Sequence, residues 1–205
     1  PIWYVAIFLS VSLLIALFEW CAFARLSGAL SKSVCIIVGM SCMLLMYRYI
    51  DSELVIFAGL LVAVSVWVLA LVCLLLWTGR ISRPVIIIAG FLFLLPAWIS
   101  AERIVLSKEY GVVLLFLLFW IVAAADIGAY FFGNVFGRHR LLPRVSPGKT
   151  FEGALGGLTC STLAAFSGIV LVDWSLTQAM VIGFFIGVIS VLGDLTVSLF
   201  KRNVG

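Results

Sequence analysis

The sequence predicts an all-α, polytopic transmembrane protein of about seven spans forming a single membrane domain, and three observations predict it. Hydrophobic residues make up 65% of the chain and charged ones 11%, whereas a soluble domain is about half apolar and about a quarter charged. The mean hydropathy is +1.30 over 205 residues, more apolar surface than a soluble fold of this length can hide, so lipid must be the main solvent. The apolar residues also come in runs of roughly 20, the length a helix needs to cross about 30 Å of hydrocarbon at 1.5 Å per residue.

Seven such runs can be drawn, at 1–18, 33–47, 54–77, 84–101, 111–130, 153–172 and 176–199. They lack the alternation of a membrane barrel, and lipid leaves no water for unpaired backbone groups, so helices are required. The second run is short and has to borrow flanking residues, tilt little or stop part-way. The first is long for a signal-peptide core and has neither a basic flank nor a small-residue cleavage site, so it reads as a truncated span. With Pro1 at its start and "KRNVG" directly after an apolar run, the sequence is expected to be a fragment lacking both ends. Residues 1–110 read as N-terminal spans, and 111–205 hold the informative spans with a polar loop at 131–152.

The net charge is +4, from 13 Lys and Arg against 9 Asp and Glu. These bases lie between apolar runs rather than on one soluble face, which argues against a nucleic-acid partner. Ten fall in the odd-numbered connections and three in the even-numbered ones. The odd side is therefore cytoplasmic by the positive-inside rule. Pro1 is then outside, while the 131–152 loop, Lys201 and Arg202 are inside. The five cysteines show no C-x-x-C spacing and no neighbouring histidine, so they read as small packing residues rather than a disulfide framework or zinc site. Glu19, Trp20 and Arg25 read as interfacial anchors.

The sharpest chemical signal is in the seventh run, "VISVLGDLTVSLFKR". Ser190, Asp194, Ser198 and Lys201 fall on one helical stripe. An ionised carboxylate in a membrane segment costs several kcal/mol by most estimates, so Asp194 should face a wet cavity, a cation or a partner charge. The competing structural reading is a hydrogen bond or ion pair holding two helices together. Asp126, near the end of the fifth run, is expected at a similar depth. Small residues around it (Ala123, Ala124, Ala125, Gly128, Ala129) would let helices approach, and Gly183 with Gly187 read as ordinary helix packing.

Between these runs lies "GNVFGRHRLLPRVSPGKTFEGALGG", the longest and most basic connection. Arg144, Lys149 and the amides around Gly148 and Thr150 could cradle phosphate oxygens, helped by the positive end of the sixth helix. Glu152 adds a carboxylate where that helix begins. Arg138, His139 and Arg140 are assigned mostly to topology. The "GKT" is no nucleotide-binding P-loop, because Pro143 stands where G-x-x-x-x-G-K-S/T needs its first glycine.

The segment "ADIGAYFFGNVFGRHRLLPRVSPGKTFEGALGG" resembles the D-S/T-G-A-Y…G…G-K/R-x-K/R…I/V-S-P-x-K-T-x-E-G…G-G region of the phosphatidate cytidylyltransferase (CDP-diacylglycerol synthase) family. "SVLGDLTVSLFKRNVG" is similar to the start of that family's S-x-x-G-D-L-x-x-S-x-x-K-R motif. The likeness is dense from about Asp126 to Arg202. Before that it is limited to hydropathy and the "EW" of Glu19 and Trp20. Ile127 departs from the usual Ser or Thr, with little expected consequence.

The resemblance implies an enzyme that transfers a cytidylyl group from CTP to phosphatidate, giving CDP-diacylglycerol and pyrophosphate in phospholipid biosynthesis. It implies Mg²⁺ as cofactor with Asp194 as metal ligand, and Asp194, Lys149 and Lys201 as catalytic residues. Asp126, Arg144, Ser146, Thr150, Glu152, Ser190, Ser198 and Arg202 are the expected substrate-binding set. The expected place is a bacterial inner (cytoplasmic) membrane with the site facing the cytoplasm, and a homodimer is admitted. In the family the motif continues to a P-G-H-G-G-x-x-D-R segment whose aspartate is a second ligand. Residues 1–205 alone are therefore expected to insert in a membrane without turnover. The alternatives are a CTP-dependent isoprenoid or polyprenol lipid kinase, and a secondary transporter using Asp126 and Asp194.

The charge asymmetry yields a topological prediction. A cysteine introduced at Arg140 should react with an impermeant reagent only from the cytoplasmic side, and one at Asp173 only from outside. The opposite pattern would overturn the orientation.

Overall fold

The protein is represented by a computed structural model, which describes residues 2–26, 28–76, 81–107 and 109–204. Pro1, placed outside above, and Arg80 and Lys108, two of the thirteen bases counted for orientation, lie outside these, as does residue 77 at the end of the third run. The elements in chain order are α1 (Ile2–Phe23), α2 (Ala29–Arg48), α3 (Glu53–Leu76), α4 (Arg83–Val105), α5 (Gly111–Phe136), β1 (Arg140–Leu142), β2 (Ser146–Thr150), α6 (Phe151–Ala165), α7 (Ser167–Leu171) and α8 (Leu176–Val204). Among the described residues seven helical stretches are long and apolar enough to cross a membrane, α6 and α7 together supplying the sixth. The short second run does borrow its flanks, reaching 20 residues as α2.

Two features differ from the sequence expectation. The sixth run is not one helix but breaks at Phe166. There the Phe166 amide bonds the Leu163 carbonyl at 3.2 Å, and the Ser167 hydroxyl takes the Ala164 carbonyl at 2.6 Å. Such three-residue bonds tighten a helix end and stop its propagation. The second feature is a β-hairpin inside the polar loop. Strands β1 and β2 pair antiparallel, with Arg140 opposite Thr150, Leu142 opposite Ser146 and an irregularity between.

The chain forms two compact units, residues 1–107 with 200–205, and residues 108–199. In the first, α1 packs on α2 and α4, and α4 also on α2 and α3. Trp20, expected as an interfacial anchor, lies inside α1 and donates its indole N–H to the Ile86 carbonyl of α4 at 2.8 Å. Gly90 makes this approach possible, since a Cβ there would meet the Trp20 ring at 2.4 Å. Glu102, only 1% exposed, accepts from the Ser10 hydroxyl of α1 at 3.1 Å. Trp98 Nε1 in turn donates to that hydroxyl at 3.2 Å. Arg103 binds the Ile50 carbonyl and the Asp51 carboxylate, both at 2.7 Å, fastening the end of α4 to the turn between α2 and α3.

In the second unit α5 and α6 touch backbone to backbone. A Cβ on Gly153 would lie 2.8 Å from the Ala129 carbonyl oxygen, one on Gly157 2.9 Å from that of Ala125, and one on Gly128 2.8 Å from that of Gly156. Lipid tails are as apolar as leucine, so helices associate in a membrane through close packing, which small residues permit. The same holds for α8 on α6, where Gly183 and Gly187 face Ser161, Thr162 and Leu158. The G-x-x-x-G on α8 is thus a packing device. Helix α8 starts on a reciprocal cap: the Gln178 amide donates to Ser175 Oγ at 3.2 Å, and the Ser175 amide to Gln178 Oε1 at 2.8 Å.

The α5–α6 contact is open to test. Gly157→Val forces a branched side chain against the Ala125 carbonyl, and overpacking of this kind costs about 1–3 kcal/mol. The melting temperature of the purified protein in detergent should fall accordingly. An unchanged value would show that the two backbones do not meet at this point.

Candidate functional site

Lipid forces polar side chains to gather where they can satisfy one another or reach water, and the second unit has such a place. An open cavity of about 240 Å³ is lined by α5, β2, the first turn of α6, and α8. Helix α5 contributes Asp126, Tyr130 and Asn134, four residues apart and so on one face. Strand β2 contributes Gly148 and Lys149, the start of α6 Thr150 and Gly153, and α8 Ser190 and Asp194.

Two polar contacts organise this cavity. Lys149 Nζ forms an ion pair with Asp194 Oδ2, joining β2 to α8. Ser190 Oγ donates to Asp126 Oδ1 at 3.0 Å, joining α8 to α5. Each acid thus has a partner on another element. Gly148 adds a third feature: a Cβ placed there would meet nothing within 4 Å. Packing does not require a glycine at this position, and its absence of a side chain leaves the backbone open to close approach by a ligand.

The hairpin is held by contacts that the sequence reading had assigned elsewhere. Glu152, expected to bind substrate, turns its carboxylate to the amides of Arg138 at 3.1 Å and His139 at 3.2 Å, and to His139 Nδ1 at 2.6 Å. The Arg140 guanidinium bonds the Pro147 carbonyl, bracing the "SPGK" stretch from the facing strand. The Phe151 amide bonds the His139 carbonyl at 2.8 Å. His139 and Arg140, read earlier as topological charge, therefore shape the loop. Their signal lay in the pairing of a histidine and an arginine with groups 13 and 7 residues ahead, which becomes visible only once the hairpin is drawn.

Of the residues expected at the site, the cavity brings together Asp126, Lys149, Thr150, Ser190 and Asp194. Thr150 also has a local task, its hydroxyl accepting from the Gly153 amide at 3.1 Å as the N-cap of α6. Ser198 lies one turn beyond Asp194 and donates to the Asp194 carbonyl at 2.8 Å. Arg144 is exposed in the hairpin turn, Ser146 opens β2, and Lys201 and Arg202 are exposed in the last turns of α8. None of these four lines the cavity. Tyr130 and Asn134 do, and the sequence reading missed them. The four-residue step from Asp126 was the available signal.

Asp126 and Asp194 with the Ser190 hydroxyl form an all-oxygen donor set. A small hard divalent cation is typically held by one or two carboxylates together with water and substrate phosphates rather than by a protein cage. Two acids in one cavity fit that mode. Among the described residues no three His, Cys, Asp or Glu side chains cluster as a closed metal cage, so phosphate oxygens would have to complete the coordination.

The model of the Cytidylyltransferase family matches residues 1–205, the full length given. The phosphatidate cytidylyltransferase of Haemophilus influenzae is 41% identical over 110 residues, which are 51% of this chain and 38% of that protein. The phosphatidate cytidylyltransferase of Staphylococcus aureus is 37% identical over 101 residues, 48% of this chain and 39% of the relative. The corresponding Staphylococcus haemolyticus protein is 38% identical over the same length and shares. The matched stretch thus spans well under half of these relatives. No solved structure matches the chain. Seven apolar helices and a family match over every residue make this chain an integral membrane member of the Cytidylyltransferase family.

Proposed function

We propose that the whole protein transfers a cytidylyl group from CTP to phosphatidate in the membrane, releasing pyrophosphate and leaving CDP-diacylglycerol. The observation that carries this reading is the cavity itself. It sets a lysine, two carboxylates, a hydroxyl and an open glycine backbone beside apolar helices, where a soluble triphosphate and a lipid headgroup can both arrive. The names of the matched relatives, phosphatidate cytidylyltransferases, supply the substrate pair.

In the proposed reaction a phosphate oxygen of phosphatidate attacks the α-phosphorus of CTP. The bond from that phosphorus to the bridging oxygen breaks, and pyrophosphate leaves with the electron pair. Such transfers need little covalent help from protein and much charge neutralisation. Lys149 would offer its ammonium to the phosphate oxygens, and the amides at Gly148 and at the start of α6 would add donors at a positive helix end. Asp194 and Asp126 would hold Mg²⁺, which when bound would neutralise phosphate charge and orient the leaving group. Ser190 would keep the Asp126 carboxylate turned toward the cavity. The site would face the cytoplasm, where the basic loop lies under the positive-inside rule and where CTP is available. The same relatives' names weigh against the lipid-kinase alternative.

The test is turnover of radiolabelled CTP into lipid-extractable product by the full-length protein. Lys149→Ala should lower kcat/KM for CTP by at least about a hundredfold, the scale of losing one preorganised electrostatic donor. Asp194→Asn should nearly abolish turnover while leaving membrane insertion intact. Near-parent rates in both variants would reduce the cavity to a helix-packing feature.

A further inference from the structure

The Lys149–Asp194 pair joins two groups that the proposed reaction needs for different partners. Asp194 is wanted by a divalent cation and Lys149 by phosphate, yet each is engaged with the other. One carboxylate oxygen cannot present the same lone pairs to an ammonium and, at coordination distance, to a metal. The pair is also accessible: the side chains are 29% exposed for Lys149 and 57% for Asp194 and both line the open cavity, so a competitor that enters the cavity can reach the pair.

The surroundings allow an exchange without refolding. Thr150, next in the chain, is buried and fixed as the α6 cap, and the Arg140 contact braces Pro147 on the other side. The backbone at Lys149 is therefore held. The side chain is a flexible four-carbon stem with a rotatable ammonium, and beside it Gly148 leaves open space. Rotamer changes alone can carry the charge from the α8 wall toward that space. The second acid, Asp126, is held by a neutral hydroxyl on Ser190, so a cation arriving there has no ion pair at that carboxylate to break.

We propose that Lys149 is an internal competitor of the divalent cation: it neutralises Asp194 until a cation takes that carboxylate, and only then turns to the phosphate chain. The inference rests on the functional reading above and adds an order to it, with cation binding preceding productive triphosphate binding. It gives one lysine opposite effects on two ligands. Lys149 weakens cation binding when no nucleotide is present and strengthens nucleotide binding once the cation is there.

The experiment uses the full-length protein in lipid nanodiscs without nucleotide and reads Mn²⁺ binding from the free-ion EPR signal. Lys149→Met, which keeps the stem and removes the charge, should bind Mn²⁺ roughly tenfold more tightly than the parent. Lys149→Arg, whose fork grips a carboxylate in two places, should bind it more weakly. Asp194→Asn should erase the difference between lysine and methionine at position 149. A second measurement needs no variant: the acylation rate of Lys149 in the parent protein, followed by mass spectrometry, should rise when Mg²⁺ is added and fall again when inorganic pyrophosphate follows. Equal or weaker Mn²⁺ binding by Lys149→Met, or a labelling rate indifferent to Mg²⁺, would overturn the proposal. These readouts do not depend on turnover. A protein that behaves as expected here but makes no lipid product would refute the functional reading and leave the competition standing.

Discussion

Everything in the cavity is referenced to the line along which α5 and α6 meet backbone to backbone. Gly128 on one helix and Gly153, Gly156 and Gly157 on the other remove the side chains that would hold the two axes apart. In water such glycines would weaken a helix by exposing its backbone and by losing entropy on folding. In lipid the helical state is enforced by the absence of other hydrogen-bond partners, so the glycines serve packing at little conformational cost. The close approach places the Asp126 face of α5 beside the first turn of α6. Because Thr150 is both the end of β2 and the cap of α6, the same contact fixes where Lys149 emerges.

What the sequence made legible follows from the strength of the constraint behind each feature. Seven spans could be read because lipid demands long apolar helices and tolerates little else. Asp126 and Asp194 could be picked out because a carboxylate is costly in an apolar run, so its presence requires a reason. Helix ends were less legible: α1 continues past the expected boundary through Trp20 to Phe23, since a tryptophan that could anchor at an interface serves equally well to bond a neighbouring helix. Glu102 was passed over for a similar reason. It falls just past the fourth run and beside Arg103, and only the packing of α1 on α4 makes it a buried partner of Ser10.

The hairpin was the least legible part, and its chemistry explains why. Two strands of three and five residues, one of them containing Pro147 and Gly148, carry no alternation that sequence periodicity could detect. Polar side-chain contacts brace them: Glu152, beyond β2, gathers the Arg138 and His139 amides, and Arg140 of β1 reaches the Pro147 carbonyl of β2. Glu152 also shows how a motif residue can carry a structural task that its sequence does not announce. A carboxylate three residues past a lysine and two past a hydroxyl reads as part of a ligand site, and in this geometry it also satisfies two backbone donors at the mouth of α6.

The two acids of the cavity illustrate how environment separates like groups into unlike tasks. Both lie on apolar helices, and both are joined to a second element, Asp126 by a hydroxyl and Asp194 by an ammonium. A hydroxyl orients a carboxylate without cancelling its charge, so the Ser190 bond leaves the charge of Asp126 in place. An ammonium cancels the charge and must be displaced before Asp194 can exert the same attraction. The difference is set by which residue of the hairpin faces α8, and that in turn by the α6 cap. A single register decision at Thr150 therefore reaches, through Lys149, to the electrostatics of a carboxylate 45 residues further along the chain.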